Sequence, residues 1–355
     1  MQDKQYIGVD VSQDWVDIAD AADPCCTQRI ANTAEALGAW AAGLNPGLVG
    51  LVAFEPTGGL ERVLRNTLLK AGIAFARVHP NEVVAFRVSR GIKAKTDRID
   101  AALLACFARD ELSGRGLAPA VAGDDELRDL VVRRRQLVEA AHAERCRLGR
   151  AASGAVRASI EAVQAVIKAQ LDGLDAAIAE HIDRSEALAA LAANLRSFKG
   201  CGPIVAATLL GEVPELGRLS GKEIAALIGL APITCESGKA KGRAVTGHGR
   251  PGVRQVLFQA ARCAIRWNPV IRAFFLRLTE VNKRPGKVAL TAAMRKILVI
   301  LNAIARDGKP WAPAVGEAAC ARASGATGPS GCGEVAGRSD RPESGAGRRL
   351  LHSII

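Results

Sequence analysis

The chain has 355 residues, a formal net charge of +12 and a hydrophobic fraction of 49%, of which little is aromatic. That length allows two domains, each burying a core of Ala, Leu and Val. Charged residues interrupt every apolar run, and no charged-then-apolar leader opens the chain, so neither a membrane span nor a secretory signal is expected.

Strand and helix signals alternate over the first hundred residues. Tyr6–Val11 and Trp15–Ala19 are short apolar runs joined by Ser12-Gln13-Asp14, a hairpin pattern, and Arg29-Ile30-Ala31 extends the sheet. Thr33 can cap a helix through Leu44, and Leu48–Phe54 is an unbroken apolar run suited to a strand buried on both faces. A helix over Leu60–Ala71, a strand over Ile73–Val78 and helices over Asn81–Arg90 and Asp97–Leu112 follow. Three strands, then helix, strand, helix, strand, helix, is the order of an RNase H-like α/β domain. From Asp125 to Leu191 apolar residues recur at helical spacing, with Ser153-Gly154 between two series, which predicts a long helical hairpin: a coiled-coil arm or part of a bundle. Residues 194–313 read as mostly helical. Beyond them Gly, Ala, Ser and Arg dominate, the composition of a disordered tail. The expected division is therefore 1–120, 121–193, 194–313 and a tail over 314–355.

Four carboxylates stand where a metal site on such a domain needs them. Asp10 lies between Val9 and Val11 at the end of the first strand, where an acid is costly unless it is paired or binds a cation. Glu55 ends the buried run and precedes Pro56-Thr57-Gly58-Gly59. Asp97 and Asp100, three apart, share one helix face. Strands one and four are neighbours in this fold and the last helix packs beside them, so the four can converge. Carboxylate oxygens suit Mg²⁺, and a pair of ions would activate an attacking oxygen and stabilise a leaving one. The plainer reading is that Asp97 and Asp100, behind Thr96, favour a helix dipole. Asp14, Asp17 and Asp20 read as a solvated strand face and turn.

Positive charge gathers in the C-terminal half. Residues 195–311 hold 20 Lys/Arg against 6 Asp/Glu, whereas residues 1–115 hold 13 against 14. This is the footprint of a nucleic-acid-binding protein. Between Ser237 and Gly252 lie five glycines and four basic residues, Lys239, Lys241, Arg243 and Arg250, with Arg254 just beyond. Ser237-Gly238 offers a hydroxyl that can attack phosphorus if a base or metal activates it, although a Ser-Gly pair in such a loop is by default a turn. Upstream, Lys199-Gly200-Cys201-Gly202 between two short helices resembles a helix-hairpin-helix, whose backbone amides hold a phosphate. The nine cysteines contain no CxxC pair, so structural zinc is not expected and a reducing cytoplasm fits.

Several segments together resemble the Piv/MooV-type DNA invertases and DEDD insertion-sequence transposases. They are GVDVSQDWVDIA around Asp10, FEPTGG around Glu55, KAKTDRIDA with Asp97 and Asp100, SFKGCGPIVAATLLGEVPEL, IAALIGLAPITCESGKAKGR with Ser237, GRPGVRQVLFQAARCAIRWNP and GKVALTAAMRK. The resemblance implies a RuvC-like domain, a coiled-coil arm and a C-terminal transposase domain, in the bacterial cytoplasm at the nucleoid. It implies that the four acids hold Mg²⁺, that Ser237 attacks DNA to form a phosphoserine link, and that a bridge RNA guides the choice of site. It further implies a homo-oligomer, a dimer or tetramer, in which acids and serine from different copies meet. His248 and the tail have no counterpart in that pattern. The rivals are a metal-only Holliday-junction nuclease, with water as nucleophile, and a catalytically silent nucleic-acid-binding protein.

Overall fold

The computed structural model describes residues 4–92, 96–115, 123–234, 236–237, 240–241 and 245–312. The expected tail over 314–355 lies outside them.

The N-terminal part is a mixed five-stranded sheet in the order β3-β2-β1-β4-β5. Strands β1 (Gln5–Val11), β2 (Trp15–Asp20) and β3 (Asp23–Ala31) form an antiparallel meander, while β4 (Val49–Phe54) and β5 (Phe75–Arg77) continue parallel on the other side of β1. A parallel neighbour requires a crossover, which α1 (Ala34–Ala42) supplies between β3 and β4 and α2 (Arg62–Lys70) between β4 and β5. Helices α3 (Pro80–Ser89) and α4 (Asp97–Phe107) follow, the latter running into a π-helical turn at Ala108–Leu112.

The continuous apolar run of β4 reflects its two covered faces. Val52 and Phe54 enter one core with Leu37, Leu64 and Leu68, whereas Leu51 and Ala53 enter the other with Val83, Phe86 and Leu104. The third strand is longer than the expected Arg29–Ala31. It is a largely exposed edge strand, so its extra residues carry no apolar signal.

Helices α5 (Asp125–Leu148) and α6 (Gly154–Asp183) form the long hairpin, with Ser153 at the start of α6. The expected helical run to Leu191 breaks earlier, because the Ser185 side chain caps a new helix, α7 (Glu186–Arg196). Helix α7 packs on α6, α8 (Pro203–Glu212) and α12 (Gly286–Asp307). The helical part also contains α9 (Gly221–Ile228), α10 (Pro251–Trp267), α11 (Pro269–Leu276) and a short hairpin of β6 (Glu236–Ser237) and β7 (Ala240–Lys241). Its core runs from Leu127 on α5 through Leu195, Phe198 and Leu257 to Leu301. Helix α12, though it carries Arg295 and Lys296, is long and apolar enough to cross a membrane by length and composition alone. Ala293, Ile297, Leu298 and Leu301 on that helix are buried in the helical core, which accounts for its apolarity.

The two parts are joined through α2 and α5. Arg65 meets Asp125 at 2.5 Å, Asn66 donates to the same carboxylate at 3.2 Å, and Arg62 forks onto Asp129.

Candidate active site

Three elements of the sheet domain bring the acids together. Asp10 is the sixth residue of β1, Glu55 follows the last residue of β4 on the neighbouring strand, and Asp97 and Asp100 occupy the first turn of α4. Helix α4 can lie against β1 because Gly8 has no side chain. A Cβ there would fall 2.1 Å from the Ala101 carbonyl oxygen and 2.2 Å from the Ala105 nitrogen. Thr96 caps α4 by accepting from the Ile99 amide at 3.4 Å.

The electrostatics report the convergence. The Asp10 carboxyl is pushed up to about 6, first by burial and then by Asp100, Asp97, Glu55 and Asp17. Like charges gathered around a half-buried acid are what a divalent cation would relieve. Two arginines partly supply that charge. Arg29 forks onto Asp17 at 2.7 and 3.0 Å and reaches Asp97 at 3.4 Å, and Arg87 pairs with Asp100. Asp97 and Asp100 are thus drawn onto arginines, and among the described residues no three acidic, His or Cys side chains converge tightly enough to hold one ion. The donor set itself, all carboxylate oxygens, fits a hard divalent cation.

Asp17 corrects the reading from sequence. It is only 1% exposed, lies opposite Asp10 in the β1–β2 register, and is held by Arg29 rather than solvated. Sequence reasoning also missed Glu61, which is 1% exposed. Its carboxylate accepts from the Gly59 amide at 2.8 Å and the Thr57 amide at 3.2 Å, which ties down the turn after Glu55. Burial alone would raise its pKa, but the backbone donors of Glu61, Gly59 and Thr57 hold it below the ordinary carboxylate range. Gly58 and Gly59 both have positive φ, 74° and 117°, as that turn requires. A buried Glu four residues after Thr57, behind a Gly-Gly pair, is the signal that could have revealed it.

Ser237 is not among the acids. It lies on β6 of the helical part, where Glu236 pairs with Lys241 and Ser237 with Ala240. Lys239 and Arg243 lie outside the described residues, as do Lys93 and Lys95. The stems of this loop are fixed more firmly than its composition suggests. Ile233 and Val245 bridge across it, and Arg254 donates to the Ile228 carbonyl at 2.9 Å and to that of His248. Arg250 forks onto Glu215 at 2.6 and 2.7 Å. Arg250 and Arg254, both read as nucleic-acid contacts, therefore have partners inside the fold. Gly229 and Gly249 have positive φ and pack backbone to backbone at the neck of the loop: a Cβ on Gly229 would fall 2.2 Å from the His248 carbonyl oxygen.

In the turn between α7 and α8, Gly200 adopts φ 120° with Ala264 close behind it. Lys199 is exposed, and Gly202 begins α8 with no side-chain cap.

Residues 7–154 match the transposase family model of the DEDD, IS110 type, and residues 192–276 match the model described as "Transposase IS116/IS110/IS902 family". The chain belongs to the IS110 family of DEDD insertion-sequence transposases. It is an enzyme of DNA cleavage and strand transfer, in a family that uses divalent metal ions. No curated protein matches it. The first match spans all four acids and the second spans Ser237, Arg250 and Arg254.

Proposed function

We propose that this transposase cuts and rejoins DNA with Asp10, Glu55, Asp97 and Asp100 around Mg²⁺, two ions per site, and with Ser237 as nucleophile. A structured RNA, the bridge RNA of the family resemblance, would select the DNA. The observation that carries this reading is the crowding of four carboxylates from three elements onto one half-buried acid. Crowding of that kind destabilises a fold unless a cation uses it.

When bound, the metal would polarise the scissile phosphate and lower the cost of charge on the oxygens that enter and leave. The acids hold that charge in place, with Asp10 fixed by its strand and Glu55 by the turn that Glu61 secures. The Ser237 oxygen attacks phosphorus, a phosphorus–oxygen bond to the sugar breaks, and the departing sugar oxygen takes up the proton that the serine gives up. The resulting phosphoserine conserves the energy of the bond, so rejoining is the same step run with a second strand. Lys199, Gly200 and Gly202, with Lys239, Lys241 and Arg243, would contact backbone phosphates. Arg250 and Arg254 would serve by holding the serine loop.

One experiment tests the serine, the metal and the RNA together. Wild type, Ser237→Ala and Asp10→Asn are incubated with donor and target DNA, with or without Mg²⁺ and RNA from the same element, then denatured and resolved on a gel. Only wild type with both additions is expected to give protein-linked DNA. Cleavage without an adduct in both wild type and Ser237→Ala would make water the nucleophile and establish the metal-only nuclease. Full activity in Asp10→Asn would remove the metal site.

A further inference from the structure

A second charged cleft, of about 370 Å³, opens between the sheet domain and the helical part. One wall is Pro56, next to Glu55, with Arg65 and Arg77; the other runs from Gly249 to Gly252, where the serine loop enters α10. Helix α5 forms the floor with Arg128 and Arg135. Five arginines thus face one small space. Three of them are paired with acids: Arg65 with Asp125, Arg135 with Glu212 at 2.5 Å, and Arg250 with Glu215.

The remaining two are not matched. The exposed Arg77 guanidinium makes no hydrogen bond or ion pair among the described residues; its pKa is lowered by desolvation and by Arg250 and Arg128, which outweigh the opposing charges of Glu61 and Glu215. One terminal nitrogen of Arg128 is buried with no hydrogen-bond partner. A buried guanidinium donor left unmade is costly, and native structures seldom keep one without a use. The first turn of α10 adds its own positive end, for Arg250 at its start provides no side-chain cap. Asp125 keeps one buried oxygen without a donor on the α5 side, so an anion would seat towards Arg77 and α10.

We propose that this cleft is a phosphate-binding site, with Arg77 and Arg128 as its ligands. The site is separate from the four acids and from Ser237, and it does not depend on which nucleophile acts. Guanidinium pairs favour phosphate over monovalent anions because two oxygens can be met at once. The group bound is a backbone phosphodiester of the nucleic-acid substrate or a free phosphate. Either would brace the loop after Glu55 against the root of the serine loop, since each forms one wall.

The full-length protein is melted in sodium phosphate and in sodium chloride at equal ionic strength, and separately titrated with a short fluorescent oligothymidylate across a salt series. Phosphate is expected to raise the wild-type Tm above its value in chloride, and Arg77→Gln with Arg128→Gln to remove that rise. The slope of log affinity against log salt should fall by about one for each backbone phosphate that the variant no longer neutralises. An abolished phosphate response with an unchanged slope assigns a free anion, and a reduced slope assigns the phosphodiester. Arg145→Gln, on the exposed outer end of α5, controls for net charge and should leave the phosphate response intact. Arg77 is itself exposed at a strand end, so Arg77→Gln alone carries the test if the double variant fails to fold. A phosphate response and a salt slope both unchanged in the variants would overturn the site.

Discussion

Arg87 and Asp100 show how single residues balance an acidic site. Their side chains are each more than four-fifths buried, and the pair sits beside Asp10, whose own carboxyl is strained by its neighbours. Arg87→Gln would leave Asp100 uncompensated there, which should cost the metal-free protein about 2 kcal/mol, the scale of a hydrogen bond to a charged group. Mg²⁺ brings the missing charge, so the deficit should shrink when Mg²⁺ is added. Urea unfolding of both proteins with and without Mg²⁺ checks this; an equal deficit in both conditions would mean that Arg87 acts in packing alone. The positions of the acids could be read from sequence because Asp10 interrupts and Glu55 ends an apolar run, while Asp97 and Asp100 stand three apart at a helix start. Asp17 was not, since its burial depends on Arg29 reaching across from β3, and a cross-strand partner twelve residues away leaves no local mark. Arg87 was hidden for the same reason: its partner lies thirteen residues on, in another helix.

At the scale of elements, the contact of α4 with β1 decides whether two acids on a helix can meet one on a strand. Gly8 permits it, and small residues at Ala101 and Ala105 line the approach. Gly8→Ala would press a methyl group into backbone atoms that cannot rotate aside, so α4 must move off the sheet. A loss of about 3 kcal/mol, the upper range for overpacking, is expected together with loss of adduct formation. Wild-type stability in Gly8→Ala, measured by the same urea unfolding, would refute this account of the packing. The elements themselves were readable where apolar period and caps agreed: Thr33 caps its helix as expected, and β1 and β4 lie where the apolar runs are. The length of β3 and the break before α7 were not. The first is an exposed edge with no pattern, and the second depends on Ser185, one capping serine inside a continuous helical period.

For the whole molecule, the proposed mechanism requires acids and a serine on separate cores to meet at one phosphate. The acids belong to the sheet domain and Ser237 to a hairpin of the helical part, with α5 packed on α6 and α8 and tied to α2 by the Arg65–Asp125 and Arg62–Asp129 pairs. Along the α5–α6 hairpin Val138, Val156, Val163 and Val166 remain exposed, an apolar stripe on a long arm of the kind that associates with another copy. If acids from one copy serve the serine of another, two inactive variants should rescue each other. In an equal mixture of Asp10→Asn and Ser237→Ala chains, a composite site works when its acids come from a Ser237→Ala chain and its serine from an Asp10→Asn chain. Random assembly makes about one site in four intact, a consequence of pairing alone in a symmetric oligomer. The adduct assay on co-expressed, differently tagged variants reads this directly, and the labelled DNA should be attached only to the Asp10→Asn chain. If each chain used its own acids, no mixture would form adduct at any ratio, and the site would have to close within one copy by bringing the β6–β7 hairpin to α4.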